Sequence, residues 1–261
     1  MENVYGWDIN PADSKDYINT CEKIVENDEN FSNFKSSKKY NVILEHVDQE
    51  LGLQYFDHIQ KFGKEIYEEK FDNFFENDLI GNPRQFLYGD KKISPTTLRY
   101  IKNVLDLSSI CGDQEISKIV EVGGGYGGLC KTLSVLCNFE KYINVDLPQV
   151  LKIQQKYLKN FSEIYPKIEF VSCNELEDTS NIDLFISNYS LSELTIETQL
   201  NYYNKLIKNS KLIYITYNLI SNNCNDNFDI LVSKLKDDGF KLEDNYFDYG
   251  YYKNIILVGK K

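Results

Sequence analysis

Arginine and histidine are nearly missing from this chain. Only Arg84 and Arg99 among its 29 basic residues are arginine, and the two histidines are His46 and His58. So little histidine leaves no histidine-built metal centre, and the scattered carboxylates read as solvated faces, so no metal is expected. Positive charge is also short: 40 acidic residues against 29 basic give a net charge of −11 over 261 residues. That disfavours a polyanionic partner, because nucleic-acid binding draws most of its affinity from phosphate neutralisation. No apolar run is long enough to span a bilayer. The start, MENVYGWDINPADSKDY, lacks the basic and apolar segments of a secretory leader. The six cysteines, Cys21, Cys111, Cys130, Cys137, Cys173 and Cys224, include no C-x-x-C, as expected for thiols in a reducing compartment. These absences predict a cytoplasmic protein without a nucleic-acid or membrane partner, and leave a homodimer open.

Asparagine, lysine, isoleucine and tyrosine are abundant instead. An AT-rich coding sequence produces that bias, so the 20 tyrosines are not read as a binding signature. From Lys118 onward, strand-like and helix-like segments alternate. Strands are expected at 118–122, 141–147, 167–173, 182–189 and 211–218. Helices are expected at 128–139, 148–161, 192–210 and 227–240, and an antiparallel hairpin with a tight turn at 246–260. Such alternation predicts an α/β fold with a parallel sheet covered on both faces. Residues 1–80 read as a helical region able to lid that sheet and shape a substrate pocket. Residues 81–117 read as a connector with a leading helix, and 118–261 as the sheet domain.

Five of the 14 glycines crowd into IVEVGGGYGG, between Gly123 and Gly128. A strand, a glycine-rich turn and a helix start together make a nucleotide site, since bare backbone permits close approach and the helix end offers free N–H groups. Asp146, ending the next strand, suits ribose hydroxyls. Two cofactors fit, a nicotinamide dinucleotide or S-adenosylmethionine (SAM). Glu121 gives E-x-G-x-G, which resembles the first motif of class I methyltransferases, and a carboxylate there suits a sulfonium and an ammonium better than a pyrophosphate. Asp146-Leu147-Pro148 resembles the DLP of many small-molecule O-methyltransferases. A chain closing in a hairpin after a DGF helix end resembles that fold's close, with a Rossmann-like seven-stranded sheet in the order 3-2-1-4-5-7-6 and an antiparallel last strand.

EVGGGYGGL, VDLPQVLKIQQKYL and FISNYSLSEL, spread over about residues 80–220, resemble the sugar O-methyltransferase family. The resemblance implies transfer of a methyl group from SAM to a hydroxyl of a carbohydrate or sugar nucleotide, leaving S-adenosylhomocysteine. It implies that Gly123 and Gly125 let the methionine part cross the turn, Glu121 orients it, and Tyr126 lies along the cofactor or lids it. Asp146 would accept the ribose hydroxyls and Leu147 pack on the adenine. Asn174 stands where relatives carry an aspartate against the adenine amine; it accepts that bond without adding charge. Asn188 and Tyr189 would lie under the sulfonium, with Tyr189, Ser190 and Glu193 facing the acceptor. Apart from the resemblance, either scarce arginine could pair bidentately with the SAM carboxylate or with an acidic acceptor; Arg99 is placed with the cofactor and Arg84 with the acceptor.

A sugar hydroxyl is a poor nucleophile and gains from a general base. The candidates are His58, His46 and Glu193. A nicotinamide-dependent oxidoreductase remains the alternative from another enzyme class, and a catalytically inactive binding subunit the alternative outside enzymes. The N-P-P-Y type of tetrapeptide tied to amino-group methylation is absent after the fourth strand, where S-N-Y-S stands.

Overall fold

The computed structural model describes residues 15–41, 47–219, 222–243, 248–249 and 254–261. Helices α1 (Lys15–Glu26), α2 (Asp28–Ser32), α3 (Lys38–Asn41), α4 (Gln49–Phe62) and α5 (Lys64–Phe75) come first. A short hairpin, β1 (Phe86–Tyr88) with β2 (Lys91–Ile93), leads into α6 (Pro95–Cys111). The sheet domain then alternates: β3 (Lys118–Val122), α7 (Gly128–Leu133), β4 (Lys141–Asp146), α8 (Pro148–Leu158), β5 (Ile168–Ser172) and β6 (Ile182–Asn188). It continues with α9 (Ile196–Lys205), β7 (Ser210–Asn218), α10 (Asn222–Asp237), β8 (Lys241–Glu243) and β9 (Asn254–Lys260).

The seven strands β3–β9 form one sheet in the order β5-β4-β3-β6-β7-β9-β8, which reads 3-2-1-4-5-7-6 when β3 is counted first. Strands β3 to β7 pair in parallel, and β9 runs antiparallel to both β7 and β8. Central strands buried on two faces read as nearly continuous apolar runs, which is why 118–122 and 182–188 were legible as strands. Ile119, Leu184 and Leu212 pack on one face with Leu107 of α6, Leu129 of α7 and Ile153 of α8. Val120, Phe185 and Ile213 pack on the other with Tyr202 of α9 and Leu231 of α10.

Three sequence expectations need correction. The helix expected over 128–139 stops at Leu133. Beyond it, Val135 and Leu136 donate their N–H groups three residues back, and Ser134 Oγ takes the Lys131 carbonyl, so the ladder tightens and ends. The connector holds a hairpin, β1–β2, whose three-residue strands are too short for any period to show. In the terminal hairpin β8 lies upstream of the 246–260 over which the hairpin was expected. Asp248 and Tyr249 are in a loop, with side chains committed to other elements as described below; the expected tight turn lies outside the described residues.

Helix α6 is buried on almost every side, packed between α4 and the sheet. Its start is fixed by Asp78, which is buried and accepts from Ser94 N at 2.5 Å, Ser94 Oγ at 2.7 Å and Thr97 Oγ1 at 2.5 Å. Ser94 is the N-cap and Pro95 opens the first turn. Asp78→Ala is expected to cost about 2 kcal/mol, because three buried donors lose their acceptor. A melting temperature within 1 °C of the parent would contradict this role for Asp78.

Candidate active site

The glycine turn sits at the carboxyl end of β3, beside the end of β4. Gly123 N–H donates to Val145 O across the two strands at 3.0 Å. Gly123 has φ +77°, and a Cβ there would fall 2.2 Å from Ser190 Cβ, so only glycine fits between the turn and the end of β6. Under the turn lies Glu121, 2 % exposed, accepting from Tyr142 Oη at 2.7 Å. A Cβ on Gly124 would meet Glu121 Oε2 and Asn144 Oδ1, each at 2.9 Å. The turn therefore lies directly on a carboxylate and a carboxamide.

Asp146 ends β4 with one oxygen accepting from Leu147 N at 2.8 Å and the other from Gln154 Nε2 at 3.0 Å. Burial pushes its carboxyl up to about 7, against the pull of the Leu147, Gly125 and Gly124 N–H groups and of Gln154. Burial likewise raises Glu121 to about 7, opposed by Tyr142 and aided by Asp146. Tyr17 and Cys21 of α1 are buried, which raises both of their pKa values with the charge of Asp146 adding to it, and α1 packs on α8.

Both carboxyls titrate higher in the native chain than in the unfolded one, whose values are near 3.8 and 4.5. Their contribution to stability is thus full below those values and lost as pH rises through about 7. Ionised Asp146 is also the form that accepts ribose hydroxyls. The rise in melting temperature produced by SAM is therefore expected to be larger at pH 8 than at pH 6. Asp146→Asn is expected to remove most of that difference; calorimetric melts at the two pH values check it.

The carboxyl end of β6 carries the other expected residues. Asn188 accepts from Thr216 Oγ1 at 2.7 Å. Tyr189 follows with φ +67°, a conformation rare for a tyrosine and a mark of strain held by its surroundings. Its N–H donates to Thr216 O at 2.8 Å, its hydroxyl donates to Asp248, and Arg99 lies 5.5 Å above its ring. Asp248 also accepts from Tyr55 Oη at 3.1 Å. His58 of α4 contacts Tyr249 Oη through Nδ1 at 3.0 Å, and its Nε2 lies 3.5 Å from Asp106 Oδ1.

Ser190 and Leu147 are half-buried beside the turn and the start of α8. Asn174 is exposed at the end of β5, and Glu193 is exposed on a short turn after β6. Arg84 is exposed in the loop before β1, outside this constellation, and Arg99 is 7 % exposed within it. His46 lies outside the described residues. Tyr126 is 1 % exposed, edge-on to Phe34, Tyr100 and Tyr157. Lys35 Nζ sits 4.2 Å over its ring and donates to Asn77 O at 2.5 Å, while Asn77 Nδ2 donates to Tyr126 Oη at 3.1 Å. Tyr126 thereby fastens the glycine turn to the N-terminal helices.

Asp106, Lys102, Tyr55, Asp248 and Tyr249 were not singled out from the sequence. Tyr55 and Asp248 are 193 positions apart, and no local spacing brings such residues together. Among the described residues no group of three or more His, Cys, Asp or Glu could hold a metal. The five described cysteines are free thiols. No described helix is long and apolar enough to cross a membrane.

The residues present fit SAM. The turn leaves no room for a Cβ at Gly123, and the carboxylates of Glu121 and Asp146 stand beside it, acceptors of the kind a diol and a cation need. Asn144, 0 % exposed beneath the turn, has no hydrogen-bond partner for either amide atom among the described residues. No family model matches the chain. No curated protein matches it either. Among solved structures, the magnesium protoporphyrin IX methyltransferase (ChlM) from Synechocystis PCC 6803 with bound SAM is similar. The identity is 14%, the match covers 76% of this chain and 97% of that one, and the TM-score is 0.51. TrmK of M. capricolum, in complex with S-adenosyl-homocysteine, matches at 16% identity over 61% of this chain and 67% of that one, with TM-score 0.47. Its mostly parallel seven-stranded sheet and its likeness to ChlM give this chain the Rossmann-like fold of the SAM-dependent methyltransferases.

Proposed function

We propose that the protein is a SAM-dependent O-methyltransferase whose acceptor is a hydroxyl of a sugar or a sugar-containing small molecule. One observation carries the reading: Glu121, the Gly123–Gly125 turn and Asp146 stand together at the adjacent carboxyl ends of β3 and β4. Loops at such strand ends form the crevice of open α/β sheets. Bound there, SAM would supply a methyl group already activated on a sulfonium. Asp146 would hold the ribose, Leu147 and Asn174 the adenine, and the glycine turn the methionine part. Arg99, near the end of β6, would meet the SAM carboxylate. Helix α1 would keep water off the ribose end.

The acceptor would enter beside Asn188, Tyr189 and Asp248. Carboxylate oxygens and tyrosine rings suit a polyol, whose hydroxyls need acceptors and whose C–H faces pack on rings. The acidic net charge supports a small acceptor over RNA. Much of the rate would come from positioning, since a reacting pair held in line is worth many orders of magnitude. The test is transfer of label from methyl-labelled SAM to a mixture of free hexoses and uridine-diphosphate hexoses, with RNA and an amine as separate arms. A base-stable methyl ether is the expected product. Label on RNA or on nitrogen alone would overturn the acceptor class.

A further inference from the structure

Past Tyr189, contacts continue into a set of polar side chains that cofactor binding does not use. Asp248 accepts from Tyr189 and Tyr55, and its neighbour Tyr249 stands edge-on to Tyr55 at 5.5 Å. Tyr249 Oη is 3.0 Å from His58 Nδ1. His58 is 9 % exposed, and its Nε2 faces Asp106 Oδ1 at 3.5 Å. The second oxygen of Asp106 takes the Lys102 ammonium at 2.7 Å and the Tyr214 hydroxyl at 2.8 Å. Lys102 and Tyr214 are fully buried and Asp106 is 6 % exposed, so this anion is fixed on every side. Four elements meet here: α4 of the N-terminal region, α6, β7 and the loop before β9. A buried carboxylate facing one nitrogen of an imidazole sets which nitrogen keeps the proton. In the tautomer that keeps its proton on Nε2, facing Asp106, Nδ1 is an acceptor and Tyr249 the donor.

We propose that Tyr249 receives the acceptor's proton and passes its own to His58, with Asp106 as the anion behind the imidazole. The proposal rests on the O-methyltransferase reading. As the acceptor oxygen forms its bond to the methyl group, the S–C bond of the sulfonium donor breaks and sulfur keeps that pair. The acceptor's O–H proton moves to Tyr249 Oη, and the Tyr249 proton moves to His58 Nδ1. The outcome is a methyl ether, a neutral thioether, an intact tyrosine and an imidazolium beside Asp106; the proton then leaves to water. Burial holds the Tyr249 pKa up, with Asp106, Asp248 and Asp57 adding to it, so a standing phenolate is disfavoured and a concerted hand-over fits better. Tyr249 is half-buried and follows Asp248, beside which the acceptor would enter; His58, packed against Phe62, would act through it. His58 and Asp106 are positioning residues in this scheme.

The chain has two histidines, so nitrogen-15 correlation spectra of the labelled protein are simple, and His58→Gln identifies the signals of His58 by their loss. Neutral His58 is expected to carry its proton on Nε2, with an unprotonated Nδ1 whose shift moves in Tyr249→Phe. A proton on Nδ1 overturns the proposal, because that nitrogen would donate to Tyr249 and could not take its proton. In parallel, label transfer from SAM to the hexose mixture is measured with Tyr249→Phe. Transfer is expected to fall about 100-fold, the usual worth of one proton-transfer group, with SAM affinity within about twofold of the parent. Unchanged transfer overturns the proposal. Calorimetry of the parent protein separates the two readings: failure to bind SAM defeats the methyltransferase assignment, whereas binding with the Nδ1–H tautomer defeats the relay alone.

Discussion

Asp146→Ala is expected to weaken SAM binding about 100-fold, near 2.7 kcal/mol. A hydrogen bond to a charged group contributes about 1.5–3 kcal/mol, and a carboxylate facing a ribose diol offers two. Water offsets part of the pair, which leaves the smaller figure. The folded state is expected to change little. The carboxyl of Asp146 sits with its pKa raised by burial, so ionised Asp146 already opposes folding at neutral pH. Its loss also strips Leu147 N–H and Gln154 Nε2 of their acceptor, in the opposite direction. Binding and stability should thus separate: calorimetry reads a large loss of affinity while the melt stays within a few degrees. Unchanged affinity would move the ribose elsewhere.

Gly123→Ala is expected to destabilise the fold by about 3 kcal/mol. A left-handed conformation costs an alanine roughly 1–2 kcal/mol. Forcing a methyl into filled space adds about 1–3 kcal/mol, and here the new Cβ would overlap Ser190 Cβ at 2.2 Å. For a chain of this size the melting temperature should fall by roughly 6–12 °C. The double variant Gly123→Ala with Ser190→Gly is expected to recover about half, since it relieves the overlap and leaves the backbone strain. Equal melts for single and double variants would show that Ser190 does not close over the turn.

The parallel strands and the glycine turn were legible because their physics is local. A doubly buried strand needs an apolar run, and a close approach of backbone needs glycine. Glu121 and Asp146 were legible for the same reason, each being two or fewer positions from a strand end. Tyr126 was not: its neighbours in sequence are glycines, but its environment is Phe34, Lys35, Asn77 and Tyr157, from distant segments. His58 could be named from rarity alone, yet its partners Asp106 and Tyr249 come from α6 and the loop before β9. The hairpin expected over 246–260 carried no hint that the hydroxyl of Tyr249 contacts His58. The helix over 128–139 failed because a hydrophobic period does not report where side chains such as Ser134 end the backbone ladder.

The most direct measurement is a calorimetric titration of the purified protein with SAM, S-adenosylhomocysteine and NAD(H). The glycine turn with Glu121 and Asp146 predicts micromolar binding of SAM and S-adenosylhomocysteine and no binding of NAD(H). Binding of NAD(H) alone would contradict the methyltransferase assignment.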